Sequence, residues 1–161
     1  MKTVYAIELN EELLEDEIEL LEQVDVQIFV ESSILLIPTK QKLERIKNYI
    51  MDIGKYEESY QLIELKQAER TDLFYDFGFI IGDSSYLITE LICSFNIIQG
   101  QKEQIDMALL QMEECLLAIH QEDKQRFFFI DIQQKELIER FAKAYEIEVS
   151  FFDLDKWTEN D

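Results

Sequence analysis

The sequence is short of almost everything that punctuates or cross-links a chain. It holds four glycines, one proline, two cysteines and one histidine in 161 residues. So little glycine and proline leaves no room for long loops, and the elements are expected to follow one another closely. Glycines at positions 54, 78, 82 and 100 are too scattered to form a phosphate-cradling loop. The cysteines, Cys93 and Cys115, sit in apolar patterns read as helical, which points to free thiols in a reducing compartment and not to a disulfide framework. A single histidine, His120, with no cysteine in register, does not make a zinc site. No apolar run approaches about 20 residues, so no segment is expected to span a bilayer. Met1–Leu9 runs into acidic sequence without the small-residue cleavage site of a signal peptide. The expectation is a soluble, cytoplasmic protein with no cofactor and no metal.

Basic residues are the next shortage. Fifteen lysines and arginines face thirty-five carboxylates, for a formal charge of −20. The 47% hydrophobic and 12% aromatic content excludes disorder, which needs low hydrophobicity as well as high charge. Residues 1–66 hold 15 acids and 7 bases, and residues 67–161 hold 20 and 8, so no basic lobe balances an acidic one. Such a surface repels nucleic acid and anionic membranes and attracts basic proteins.

The acid is patterned. Glu11, Glu12, Glu15, Asp16, Glu17, Glu19 and Glu22 fall within twelve residues with no base among them. Read as one helix, they place about one charge per 2.6 Å of axis, within a factor of two of duplex DNA at about 1.7 Å. The i,i+4 pairs Glu11/Glu15, Glu12/Asp16 and Glu15/Glu19 then each cost ~0.2–0.5 kcal/mol. Two readings compete. The row is either a solvated surface, partly neutralised by Lys40, Lys42, Arg45 and Lys47 on the next helix, or a face for a basic partner. Glu11, Glu12, Glu15, Asp16, Glu19 and Glu22 are the candidate partner-binding residues.

Val4–Leu9 is a strand, followed by a helix capped by Asn10 and carrying Leu13, Leu14, Ile18 and Leu21 as its apolar stripe. Val26–Val30 and Ile34–Ile37 form a hairpin about Glu31-Ser32-Ser33. Pro38-Thr39 opens a second helix with Leu43, Ile46, Ile50 and Ile53 inward, stopped by Gly54. Gln61–Leu65 is a short strand. This β-α-β-β-α-β succession predicts a ferredoxin-like lobe over residues 1–66. Polar Lys66–Asp72 is the candidate boundary. Residues 73–152 are read as a second α+β lobe. It comprises an apolar run at Phe77–Ile81, a helical hairpin (Leu87–Ile98, then Ile105–Ile119) and a βαβ-like end. That end consists of strand Arg126–Ile132, helix Gln134–Tyr145 and strand Ile147–Phe152. Residues 153–161 are an acidic tail. The two chain ends, VYAIELNEELLEDEIELLEQVDVQIFV and RFFFIDIQQKELIERFAKAYEIEVSFF, echo one another weakly as strand–helix–strand.

Few residues carry a chemical signature. Phe79–Ser85, FIIGDSS, resembles the strand-then-Gly-Asp-Ser block of the GDSL hydrolases, which would make Ser84 a nucleophile. That family closes its site with an Asp-x-x-His, whereas Leu117 stands three residues before His120. The expectation from the residues alone is a turn with a helix N-cap at Asp83, Ser84 or Ser85. His120 is expected at a helix C-terminus, where the dipole favours it. Glu8 and Asp131 lie near strand ends, where metal-dependent chemistry is often placed, but so acid-rich a chain puts carboxylates there by chance. Asp153-x-Asp155 lacks the glycine turn of a calcium loop. Phe127, Phe128 and Phe129 have no basic groove beside them and are read as core, while Phe152 and Trp157 are read as packing on the body. The function expected is a non-enzymatic acidic binder that blocks the basic nucleic-acid site of a partner protein, as a nuclease inhibitor, immunity protein or anti-defence DNA mimic does. The alternative is a small regulatory or assembly module acting as a homo-oligomer through exposed strand edges.

Overall fold

A computed structural model describes residues 1–24, 26–29 and 33–154. Val30, Glu31 and Ser32 of the expected hairpin, and Asp155 and Trp157 of the acidic tail, lie outside the described residues. Among the described residues the chain is α+β, with eleven strands in two antiparallel sheets and four α-helices. It divides into two compact units, Thr3–Leu62 and a second running from Ile63 onward together with Met1–Lys2.

The N-terminal unit contains β1 (Lys2–Leu9), α1 (Glu15–Glu22), β2 (Gln27–Phe29), β3 (Ile34–Ile37), α2 (Lys40–Asp52) and the start of β4 (Tyr56–Lys66). Its strands lie in the order β2-β3-β1-β4. β3 is antiparallel to both neighbours, with Tyr5↔Ile37 and Ile7↔Leu35 on one side and Gln27↔Leu36 on the other. Residues that share a strand face alternate, so Tyr5, Ile7 and Leu9 join Leu35 and Ile37 in one core with the helices. From α2 that core takes Leu43, Ile46 and Ile50, the spacing of one helical face. Thr39 caps α2 by accepting from the Lys42 amide at 3.3 Å, and Gly54 takes the left-handed φ of 75° just past its end.

Helix α1 starts later than the sequence suggests. Asn10 does not cap it but donates to the carbonyls of Gly54 and Tyr56. The cap is Leu14, 61% exposed and so no part of an inward stripe, whose amide donates to the Glu17 carboxylate at 2.8 Å. Glu11 and Glu12 therefore precede the helix. The shorter helix removes the Glu11/Glu15 and Glu12/Asp16 repulsions and places Glu15, Asp16 and Glu17 in the first turn, where the dipole stabilises anions.

The second unit departs most from expectation. After β4 come β5 (Glu69–Arg70), β6 (Gly78–Ile81), β7 (Ser84–Ile88), β8 (Ile92–Gln99), α3 (Lys102–Met112), β9 (Leu116–Glu122), β10 (Gln125–Asp131), α4 (Lys135–Ala144) and β11 (Glu148–Phe152). The strand orders are β4-β7-β6 and β11-β8-β10-β9-β5. There is no helical hairpin among the described residues. Leu87–Ile98 is the end of β7, a 3-10 turn and β8, while Ile105–Ile119 is α3, a second 3-10 turn and β9. Glu90 sits in the turn between the two strands, and Ser94 is wholly buried in β8. The β-branched Ile88, Ile92, Ile97 and Ile98 suit an extended chain. Cys93 consequently lies on β8 and His120 on β9, and Cys115 lies in the second turn. FIIGDSS is a β-hairpin, with Ile81↔Ser84 and Ile80↔Ser85 about Gly82-Asp83, and no helix begins there. The polar stretch at 66–72 contains β5, which pairs with β9, and the second compact unit begins earlier, at Ile63 within β4.

The strands and helix expected at the end of the chain are β10, α4 and β11. β10 is buried on both faces, which is why FFFI reads as an unbroken apolar run. Phe127 and Phe129 join a core with Leu65, Phe74 and Leu117, whereas Phe128 and Ile130 join Phe95, Met112 and Ile138. From β8 onward the succession is again β-α-β-β-α-β, and the order β11-β8-β10-β9 repeats β4-β1-β3-β2. The counterpart of β1-α1-β2 is thus β8-α3-β9. The echo seen between the chain ends matched β1-α1-β2 to β10-α4-β11, the other half of the motif.

Candidate partner-binding face

Glu11, Glu12, Glu15, Asp16, Glu19 and Glu22 are all exposed. None of the six has an ion-pair partner among the described residues. Among the described residues no ion pair joins these six to Lys40, Arg45 or Lys47 of α2, and Lys47 lies over the Tyr56 ring, 5.2 Å from its centroid. Glu15, Glu19 and Glu22, at i, i+4 and i+7, make one stripe on α1, with Asp16 beside it.

The seventh acid of the run has a different task. Glu17 accepts from the Lys55 ammonium at 2.6 Å, and Lys55 also donates to the Glu12 carbonyl at 2.8 Å. Lys55 is buried, at 8% exposed. Its hydrogen bond, then the Leu14 amide, hold the Glu17 carboxyl below the usual range. This pair fixes the acidic segment to the turn after α2 and leaves the other six carboxylates facing solvent. Glu17→Gln is expected to lower the thermal midpoint well beyond Glu15→Gln, because only the first strands a buried ammonium. Equal midpoints would mean that Lys55 does not anchor the segment.

Apolar surface borders the stripe. Leu20 is 49% and Val24 41% exposed, and with Ile46, Tyr49 and Arg45 they line a groove of about 540 Å³ between α1 and α2. Their exposure was not legible from the helical pattern, which marked only inward positions.

The other sequence candidates resolve into local structure. Ser84 donates to Glu64 at 2.7 Å, and the Tyr86 hydroxyl donates to the same oxygen at 3.2 Å, so the GDSL-like serine bonds a carboxylate across strands and no histidine. Glu8 accepts from the Tyr60 hydroxyl at 2.8 Å, and Glu58 does so at 3.0 Å. Burial, then these two anions, push the Tyr60 hydroxyl far above its ordinary range. Asp131 accepts from the Gln133 amide at 2.9 Å as a turn cap. Phe152 stacks at a tilt on Phe127, on the body. The thiols of Cys93 and Cys115 are half-buried and unpaired, and burial raises both. Among the described residues no three His, Cys, Asp or Glu side chains gather as a metal site, and no helix is long and apolar enough to cross a membrane.

His120 is buried, its Nδ1 has no hydrogen-bond partner among the described residues, and its Nε2 lies 4.0 Å from Glu122. Burial, then the Met1 amino group, lower its pKa, against the opposing pull of Glu122 and the Lys66 backbone. The unfolded chain therefore binds a proton the folded one resists. The stability carried by the neutral ring is complete above about pH 6.5, the ordinary imidazole value, and is lost as pH falls through the lowered value. His120→Phe is expected to flatten the fall of the thermal midpoint between about pH 6.5 and 5. A slope unchanged by the substitution would exclude His120 as its source.

No protein-family model, curated protein or solved structure matches the chain.

Proposed function

We propose that the protein is a non-enzymatic acidic binder whose Glu11–Glu22 segment occupies the basic, nucleic-acid-binding surface of a partner protein, in the manner of a nuclease inhibitor, immunity protein or anti-defence DNA mimic. One observation carries this reading: six exposed carboxylates in twelve residues, with no cation of the described residues spent on them, held outward by the Glu17–Lys55 anchor. A solvated surface has no need to keep i,i+4 like charges such as Glu15/Glu19. The apolar Leu20 and Val24 beside the stripe supply the buried contact area that a protein partner requires and a counterion does not. The scaffold is proposed to be ferredoxin-like in the N-terminal unit, supported by its β-α-β-β-α-β succession and the order β2-β3-β1-β4. The same support extends to β8–β11. Capture from host lysate at low and high salt, repeated with Glu12, Glu15 and Glu19 reversed to lysine, tests the function. A basic nucleic-acid enzyme held at low salt and lost on reversal supports it, and capture indifferent to reversal overturns it.

A homo-oligomeric assembly module is the second reading. It is favoured by β6, an edge strand of sequence Gly-Phe-Ile-Ile with none of the charged or proline residues that usually protect an edge. Mass that rises with concentration in the absence of a partner would support it.

A further inference from the structure

The second unit holds a cleft whose lining carries two cations and no carboxylate. The β8–β10 ladder pairs Phe95 with Phe128 and runs from there to Ile92↔Asp131. Beyond Phe95 the two strands part. Asn96 and Ile97 continue along β11, and Gln125–Phe127 continue along β9. The space between them is a cleft of about 450 Å³, inside the range of small-molecule sites. Ile97, Ile105, Leu109 and Phe128 make its apolar wall.

Lys124 and Arg126 also line it. Neither is ion-paired among the described residues, although the chain carries twenty more negative than positive charges. The Arg126 guanidinium rests 5.2 Å above the Phe128 ring, so its charge is placed at the junction of wall and rim. Lys124 holds a left-handed φ of 67° and Asp123 one of 49°, in the two-residue turn between β9 and β10. Glycine or asparagine would adopt that turn at lower cost, so a lysine there trades stability for a cation at the cleft mouth.

Together these groups define a ligand: an anion for Lys124 and Arg126 and an apolar body for the wall. We propose that the cleft between β8 and β10 binds a small carboxylic acid with a branched or aromatic side chain. The cleft lies wholly in the second unit, and the acidic face contributes nothing to it.

The test is calorimetric titration of the full chain with L-leucine, L-phenylalanine and 2-hydroxy-4-methylpentanoate. Leucinamide, which lacks the carboxylate, serves as a probe of the same site. Saturable binding of at least one of the three acids is expected, at least tenfold weaker for leucinamide. Arg126→Gln and Lys124→Gln, both exposed and expected to fold with wild-type midpoints, should each weaken binding at least tenfold. Absence of binding by all three acids at millimolar concentration overturns the site. So does binding shared equally by leucinamide, or binding unchanged in both variants.

Discussion

Phe129→Ala should cost the protein about 3–5 kcal/mol, the range for truncating a fully buried aromatic, read as a lowered urea midpoint with an unchanged slope. Phe129 is completely buried and shares its core with Leu65, Phe74, Leu87 and Leu117, which come from four other segments of the second unit. Leu110→Ala is the comparison. Leu110 is 67% exposed on α3, and its truncation should stay within about 0.5 kcal/mol. A Phe129 cost no larger than that of Leu110 would mean that β10 is not the central buried strand the register makes it.

The legibility of β10 and its neighbours in the sequence differed for physical reasons. RFFFIDI announces itself because a strand buried on both faces has no polar positions, and α2 and α4 are announced by one-sided apolar spacing. Leu87–Ile119 misled because its apolar residues fit period 3.6 as well as a strand interrupted by a turn. What decides is the set of partners. β8 lies between β11 and β10, and β9 lies between β10 and β5. β8 gains its hydrogen bonds from segments far along the chain, which no local window contains. Buried serines add to the difficulty, since Ser85 and Ser94, wholly enclosed, read as solvent positions.

The candidate face was legible as composition but not as geometry. Counting charges found the acidic run and its six exposed members. Glu17 is absent from the six candidates, but its ion pair could not be foreseen by counting, because Lys55 lies 38 residues away and meets Glu17 only after α1 and α2 pack together. Nor could it place the start of α1 at Glu15, since the repulsion that shortens the helix competes with a cap residue, Asn10, that has a long-range use at Gly54 and Tyr56.

Reversal of Glu15, Asp16 and Glu19 to lysine should slow association with the captured basic partner by about 100-fold or more at low salt. Steered encounters reach ~10⁸–10⁹ M⁻¹s⁻¹, whereas unsteered docking proceeds at ~10⁵–10⁶ M⁻¹s⁻¹. The wild-type rate should itself fall as the screening length shrinks from about 8 Å at physiological ionic strength to about 3 Å at 1 M salt. The reversed protein should lose most of that salt dependence. Net charge alone would give the same sign, so the control reverses Glu103, Glu136 and Glu139, three exposed acids of the second unit, for an identical change in total charge. A face-specific site predicts a much smaller effect for this triple. Stability supplies an internal check. Glu19→Lys replaces a like-charge Glu15/Glu19 pair with the favourable Glu-then-Lys order, which should raise the thermal midpoint slightly even as binding fails. Loss of binding with a gain in stability would show that the acidic stripe is kept for its partner and not for the fold. Equal slowing by both triples would show instead that charge acts without a defined face.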